Sequence, residues 1–161
     1  MAVMISGIKP TVTCPATLYL PADGGTFVAH QFEVVFKRLP SDVRDKLHER
    51  YTVGYLVDVP ATPSTATEPG AAPTQVRKFL THAELLDEIV DGWGGMLDEN
   101  GAPVPYSHAE RRATDRVFGG LEQAMAVSWY EHFFVHQREA AQKNSGAQSG
   151  TTSAGTTRAA T

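Results

Sequence analysis

Two runs of alternating apolar residues, set on either side of a short turn, constrain this 161-residue chain more than any other feature. In Thr11–Leu20, Val12, Cys14, Ala16, Leu18 and Leu20 share one parity. In the next run Val28, His30, Phe32, Val34 and Phe36 do the same. A period of two places successive side chains on opposite faces, so each run predicts a strand with one buried face. Between them Asp23-Gly24-Gly25 supplies residues that tolerate positive φ in a tight turn. The pair predicts an antiparallel β-hairpin. Pro15 lies inside the first run and has no N–H to give a ladder, which predicts an edge strand or a break at that point.

Beyond Pro40 the period becomes helical. Ser41 is the expected N-cap, and Val43, Leu47, Tyr51 and Tyr55 recur at the spacing of one helix face. The stretch 51–59 is β-branched at its end and fits helix or strand equally. Thr81-His82-Ala83-Glu84 and Ser107-His108-Ala109-Glu110 both have the form of a capping box. The helices they open are expected to stop at Gly92 with Gly94-Gly95 and at Gly119-Gly120. A last helix over 121–143 would be roughly 34 Å long.

Two segments lack the apolar residues to offset the entropy of ordering them. Residues 60–74 hold four of the ten prolines and are expected to form a flexible loop. Residues 144–161 contain no large apolar side chain and are expected to be a disordered tail. The fold class is therefore α+β: one domain over 1–143, an N-terminal β-hairpin packed against three to four α-helices, with the loop inside it and the tail behind it.

Several function classes find no support. A formal net charge of −4 argues against a surface built for nucleic-acid phosphates. No stretch approaches the ~20 apolar residues that span a bilayer, and the first residues do not form a signal peptide. The single Cys14 has no partner for an internal disulfide and no catalytic base beside it in sequence. His132 and His136 stand four apart on the last helix, but Phe133 occupies the position where a zinc-enzyme signature places its Glu. Asp98-Glu99-Asn100-Gly101 lacks both anchoring carboxylates of a calcium loop and reads as a turn. No catalytic residue, metal ligand or cofactor is nominated.

Charge and aromatic layout point to a partner instead. Between Lys78 and Arg111 there is no Lys or Arg, while Glu84, Asp87, Glu88, Asp91, Asp98, Glu99 and Glu110 are acidic. On the last helix Leu121, Met125, Trp129 and Phe133 make one stripe, and Ala126, Tyr130 and Phe134 a neighbouring one. An ordinary amphipathic helix has a single apolar face a little over ~100° wide. Two stripes require a larger core or a surface for another molecule, since aromatic residues are enriched at interfaces. The candidate partner-binding residues are Trp93, Met125, Trp129, Tyr130, Phe133 and Phe134.

The segment Ala83-Glu84-Leu85-Leu86-Asp87-Glu88-Ile89-Val90-Asp91-Gly92-Trp93, followed by Gly95-Met96-Leu97-Asp98-Glu99-Asn100-Gly101 and Pro103-Val104-Pro105-Tyr106-Ser107, carries a resemblance. It resembles the tail assembly chaperones of long-tailed bacteriophages, with their helix ending in Gly-Trp, acidic Gly turn and Pro-x-Pro-aromatic-Ser segment. The hairpin with Phe32, Phe36, Lys37 and Leu39, and the ending with Tyr130, Arg138 and Lys143-Asn144, fit as well. The Pro-rich insert, the extra tail and the polar helix at 107–120 depart from the family's usual pattern.

The resemblance implies a non-enzymatic chaperone in the host cytoplasm that binds the tape measure protein, recruits major tail tube subunits, and is absent from the mature virion. Self-association is compatible with that role. The alternative is a structural minor tail or tail-completion protein retained in the particle.

Overall fold

The computed structural model describes residues 8–59 and 74–146. The hairpin forms as the alternation predicts, but its tip extends past the core, so that Val28, 47% exposed, and His30 are not buried as expected. Strand β1 (Thr11–Ala22) pairs antiparallel with β2 (Thr26–Lys37), from Thr11 opposite Lys37 to Ala22 opposite Thr26. Gly24 and Gly25 take φ of 78° and 74° in the turn, values that a side chain would make strained. Cys14, Ala16, Leu18, Phe32, Val34 and Phe36 face the core. β1 is an edge strand and runs unbroken through Pro15.

Helix α1 (Ser41–Thr52) follows, with Pro40 rather than Ser41 in the N-cap position and no side-chain cap. Both alternatives for 51–59 occur in turn. The helix ends at Thr52, Gly54 bends the chain at φ 86°, and β3 (Tyr55–Val59) begins. A Cβ on Gly54 would lie 2.6 Å from the Lys78 carbonyl oxygen, so only glycine fits. β3 pairs with β4 (Thr74–Lys78) in a separate two-stranded sheet. Thr74, expected to end the loop, is thus the first residue of a strand. The rest of the expected loop, 60–73, lies outside the described residues.

Helix α2 (His82–Ile89) starts with the full capping box: Thr81 Oγ1 accepts from the Glu84 amide, and the Glu84 carboxylate accepts from the Thr81 amide. It does not run to Gly92. The chain turns extended at Val90, and β5 (Val90–Gly94) joins β2 as the third strand, with a bulge where Val35 and Phe36 meet it. A loop then leads to α3 (His108–Phe118), where Ser107 Oγ accepts from the Glu110 amide and Gly119 ends the helix at φ 68°.

Helix α4 (Leu121–Tyr130) continues through a π-helical turn (Glu131–Val135) into α5 (His136–Gly146). The first residues of the expected tail are helical instead. Residues 144–146 complete α5, and 147–161 lie outside the described residues.

The first stripe of α4, and Ala126 of the second, are used by the domain itself. The helix packs on β1, α2 and α3, and Leu121, Met125, Ala126 and Trp129 are buried with Leu85, Leu86 and Ile89 of α2. Each such side chain contributes about 1.5–3 kcal/mol relative to exposure. The helix thus packs against both the sheet and the other helices, which gives the α+β architecture expected from the sequence.

Candidate partner-binding surfaces

Three features surround α4: a buried charge cluster at its start, an aromatic ledge at its end, and a groove along its side. The cluster centres on Arg111, whose side chain is 0% exposed. Its Nε donates to Glu122 Oε1 at 2.9 Å, and its Nη2 donates to Asp87 Oδ1 at 2.8 Å and to the Ala83 carbonyl at 3.1 Å. Nη1 reaches the Tyr106 hydroxyl at 3.4 Å. Arg112 and His108 also contact Asp87. Asp115 Oδ1 accepts the Glu122 amide at 3.0 Å, a cap for a helix whose own N-cap residue, Gly120, has no side chain. The polar helix at 107–120 thus serves as a clasp joining α2 to α4. Asp87, counted among the acidic residues of the long stretch, is neutralised inside that clasp.

The ledge forms where the π turn widens the helix. Phe133 packs edge-on against Phe36, with centroids 6.1 Å apart. Phe134 packs edge-on against Trp129 at 5.2 Å and stacks on the His48 ring of α1 at 4.3 Å. His48 is also stacked with Tyr130 at 5.5 Å. The Arg44 guanidinium lies 5.3 Å from the Phe134 centroid and donates to Gln137 Oε1 at 3.2 Å. The His48 Nε2 is buried without a hydrogen-bond partner. Burial pushes the His48 imidazole below its ordinary value, opposed by Asp45 and assisted by Arg138.

The six candidate residues do not form one surface. Met125 at 0% and Trp129 at 2% exposure are core residues, a correction to the expectation that they meet a partner. Their stripe is the one that α4 packs into the core between β1, α2 and α3. Trp93 does not close a helix but lies half-buried in β5, where its Nε1 donates to the Val104 carbonyl at 2.8 Å. Its ring meets Tyr106 edge-on at 5.2 Å, which ties the connecting loop to the sheet. Phe133 is half-buried against the core. Tyr130 is 42% exposed and Phe134 half-buried, so these two reach the surface. Arg44 and His48, which complete the ledge, were not singled out by sequence. Their nearest signal was an i, i+4 spacing on a charged helix.

The groove runs between the outer edge of β1 and one side of α4, an opening of ≈ 680 Å³ lined by Thr17, Leu18, Tyr19, Gly120, Ala124 and Val127 among others. Ser128 Oγ donates to the Pro15 carbonyl at 2.8 Å and closes one end. His132 and His136 flank that end. The His132 ring is fixed by the Ser128 carbonyl, 2.8 Å from Nδ1. Among the described residues no group of three or more His, Cys, Asp or Glu side chains is placed to hold a metal ion. Burial pushes the Cys14 thiol up, away from the thiolate that nucleophilic attack requires. The Asp98 segment is a turn: Asp98 Oδ1 accepts from the Asn100 and Ala102 amides. Among the described residues no helix is long and apolar enough to cross a membrane.

Compared with known proteins, the chain matches no family model, no curated protein sequence and no solved structure.

Proposed function

We propose that the chain is a non-enzymatic tail assembly chaperone of a long-tailed bacteriophage: it binds the tape measure protein, keeps it soluble, and recruits tail tube subunits in the host cytoplasm. The resemblance over 83–107 supplies the name of the partner. The observation that carries the binding role is the ledge, where Tyr130 and Phe134 present aromatic surface beside the cationic Arg44.

A tape measure is a long helical chain with apolar faces that the tube later encloses. Many copies of a small domain with one aromatic ledge each would cover such faces transiently, since aromatic and Arg side chains anchor interfaces. Glu88, Asp91 and Glu99 are exposed and keep the covered complex soluble. Trp129 and Met125 hold the ledge in place from beneath rather than touching the partner. Tube subunits then displace the chaperone.

Co-expression tests this. The tape measure protein is expected in the soluble fraction with the parent chain and in the pellet without it, or with Tyr130→Ser and Phe134→Ser combined. Equal solubility in all three overturns the role. Mass spectrometry of purified particles is expected to find no copy of the chain; a stoichiometric copy number would instead make it a structural tail protein.

A further inference from the structure

The groove beside β1 runs along an open strand edge. In an antiparallel pair, residues alternate between exchanging both hydrogen bonds with the partner strand and turning both groups away. Pro15 fixes which parity turns outward, because it has no N–H and its carbonyl accepts from Ser128 on the side away from β2. Thr17, Tyr19 and Pro21 share that parity, so Thr17 and Tyr19 direct N–H and C=O into the groove. Among the described residues no backbone group bonds to either.

Such an edge usually carries charges or is covered. Here Asp23 is the one Asp, Glu, Lys or Arg between Lys9 and Glu33. The two prolines sit at outward positions on either side of the open pair, so they limit pairing to a short window without disturbing the hairpin.

We propose that this window binds an extended segment of another protein by strand addition, a segment with an apolar side chain opposite Leu18 and a basic residue at the Pro15 end. The two occupant residues that bond to Thr17 and Tyr19 place their side chains on the solvent face of the sheet. The residue between them points to the other face, toward Leu18 and the small side of α4 at Gly120 and Ala124. A bulkier α4 surface would exclude it; these two residues leave the space open. Glu131 sets the charge preference. Of the residues lining the groove it carries the one formal charge at neutral pH, and it makes no ion pair among the described residues. The site shares no residue with the aromatic ledge and does not rest on the chaperone role.

Fluorescence anisotropy with the full chain and a fluorescein-labelled peptide, Thr-Val-Thr-Val-Thr-Arg, tests the proposal. Saturable binding is expected for the parent, weakened about tenfold by Thr17→Pro, which removes one outward donor and adds a ring in its place. Ala124→Trp fills the groove from the helix side and is expected to weaken binding at least as much. A peptide ending in Glu instead of Arg binds more weakly than the Arg peptide to the parent. Tyr130→Ser leaves the peptide affinity unchanged, so failure here and failure of the chaperone role are separable. If Thr17→Pro lowers the thermal midpoint, Ala124→Trp decides alone. The proposal is overturned by absence of saturable binding or by equal affinity for parent and groove variants. It is also overturned by a parent that sediments as a dimer while Thr17→Pro is a monomer, which would assign the edge to a second copy.

Discussion

The two ends of α4 are held by opposite means. At its start a guanidinium is removed from water and supplied with carboxylate, carbonyl and hydroxyl partners. At its end an imidazole is stacked between aromatic rings, with one nitrogen left without a partner. A buried charge with its hydrogen bonds made fixes geometry, because any rearrangement strands a charge. A buried ring with an orphan nitrogen fixes little by polar contact and relies on stacking. The first end is a closed structural joint; the second is a surface that another molecule can complete.

The largest effect that separates the two is expected from Arg111→Met. It leaves Glu122 without its cation and Asp87 with only its outer contacts to Arg112 and His108, and stability in urea should fall by about 3–5 kcal/mol. A loss below about 1 kcal/mol would mean that the clasp is not what joins α2 to α4.

At the other end, pH is the lever. The His48 imidazole is lowered in the folded state by burial, so the folded protein binds fewer protons than the unfolded chain, whose value is the ordinary 6.5. The stability it supports is fully present above that value and is lost as pH falls through the lower folded value. His48→Phe keeps the stack and deletes the orphan nitrogen. It should raise stability at neutral pH by about 1 kcal/mol and flatten the decline between pH 7 and pH 5. An unchanged slope in that variant would assign the decline to other groups.

Smaller again is Thr81→Ala, which removes the cap of the helix that the clasp grips and should lower stability by about 1 kcal/mol. A change indistinguishable from zero would show that the clasp alone orders α2. Tyr130→Ser should lower stability by no more than about 1 kcal/mol, since the side chain is 42% exposed and gives up only its stacking on His48 and Phe134. A loss of several kcal/mol would place it in the core and remove it from the ledge.

What sequence made legible were the local devices. The hairpin, its glycine turn, the Thr81 box and the Ser107 cap each depend on residues within a few positions of one another. The parts that stayed hidden are long-range. β5 is five residues with two glycines, and it is a strand because β2 offers an edge more than fifty positions earlier in the chain. Arg111 is one cation in a polar helix until Asp87 and Glu122 close on it. Tyr55 has the spacing of the α1 face, but Gly54 carries it into a strand instead. The aromatic stripes were visible as an excess, yet the sequence did not divide them between core and surface. That division needed α1, which brings His48 against Tyr130 and Phe134.

In the proposed role the end of the final helix, and not its buried middle, engages a partner. The direct test titrates a soluble helical fragment of the tape measure protein against the parent chain and Tyr130→Ser by calorimetry, with thermal midpoints recorded for both. Tyr130→Ser is expected to lower the midpoint only slightly and to reduce affinity about tenfold or more, as for an exposed aromatic anchor. Equal affinity for the two folded proteins would contradict that role.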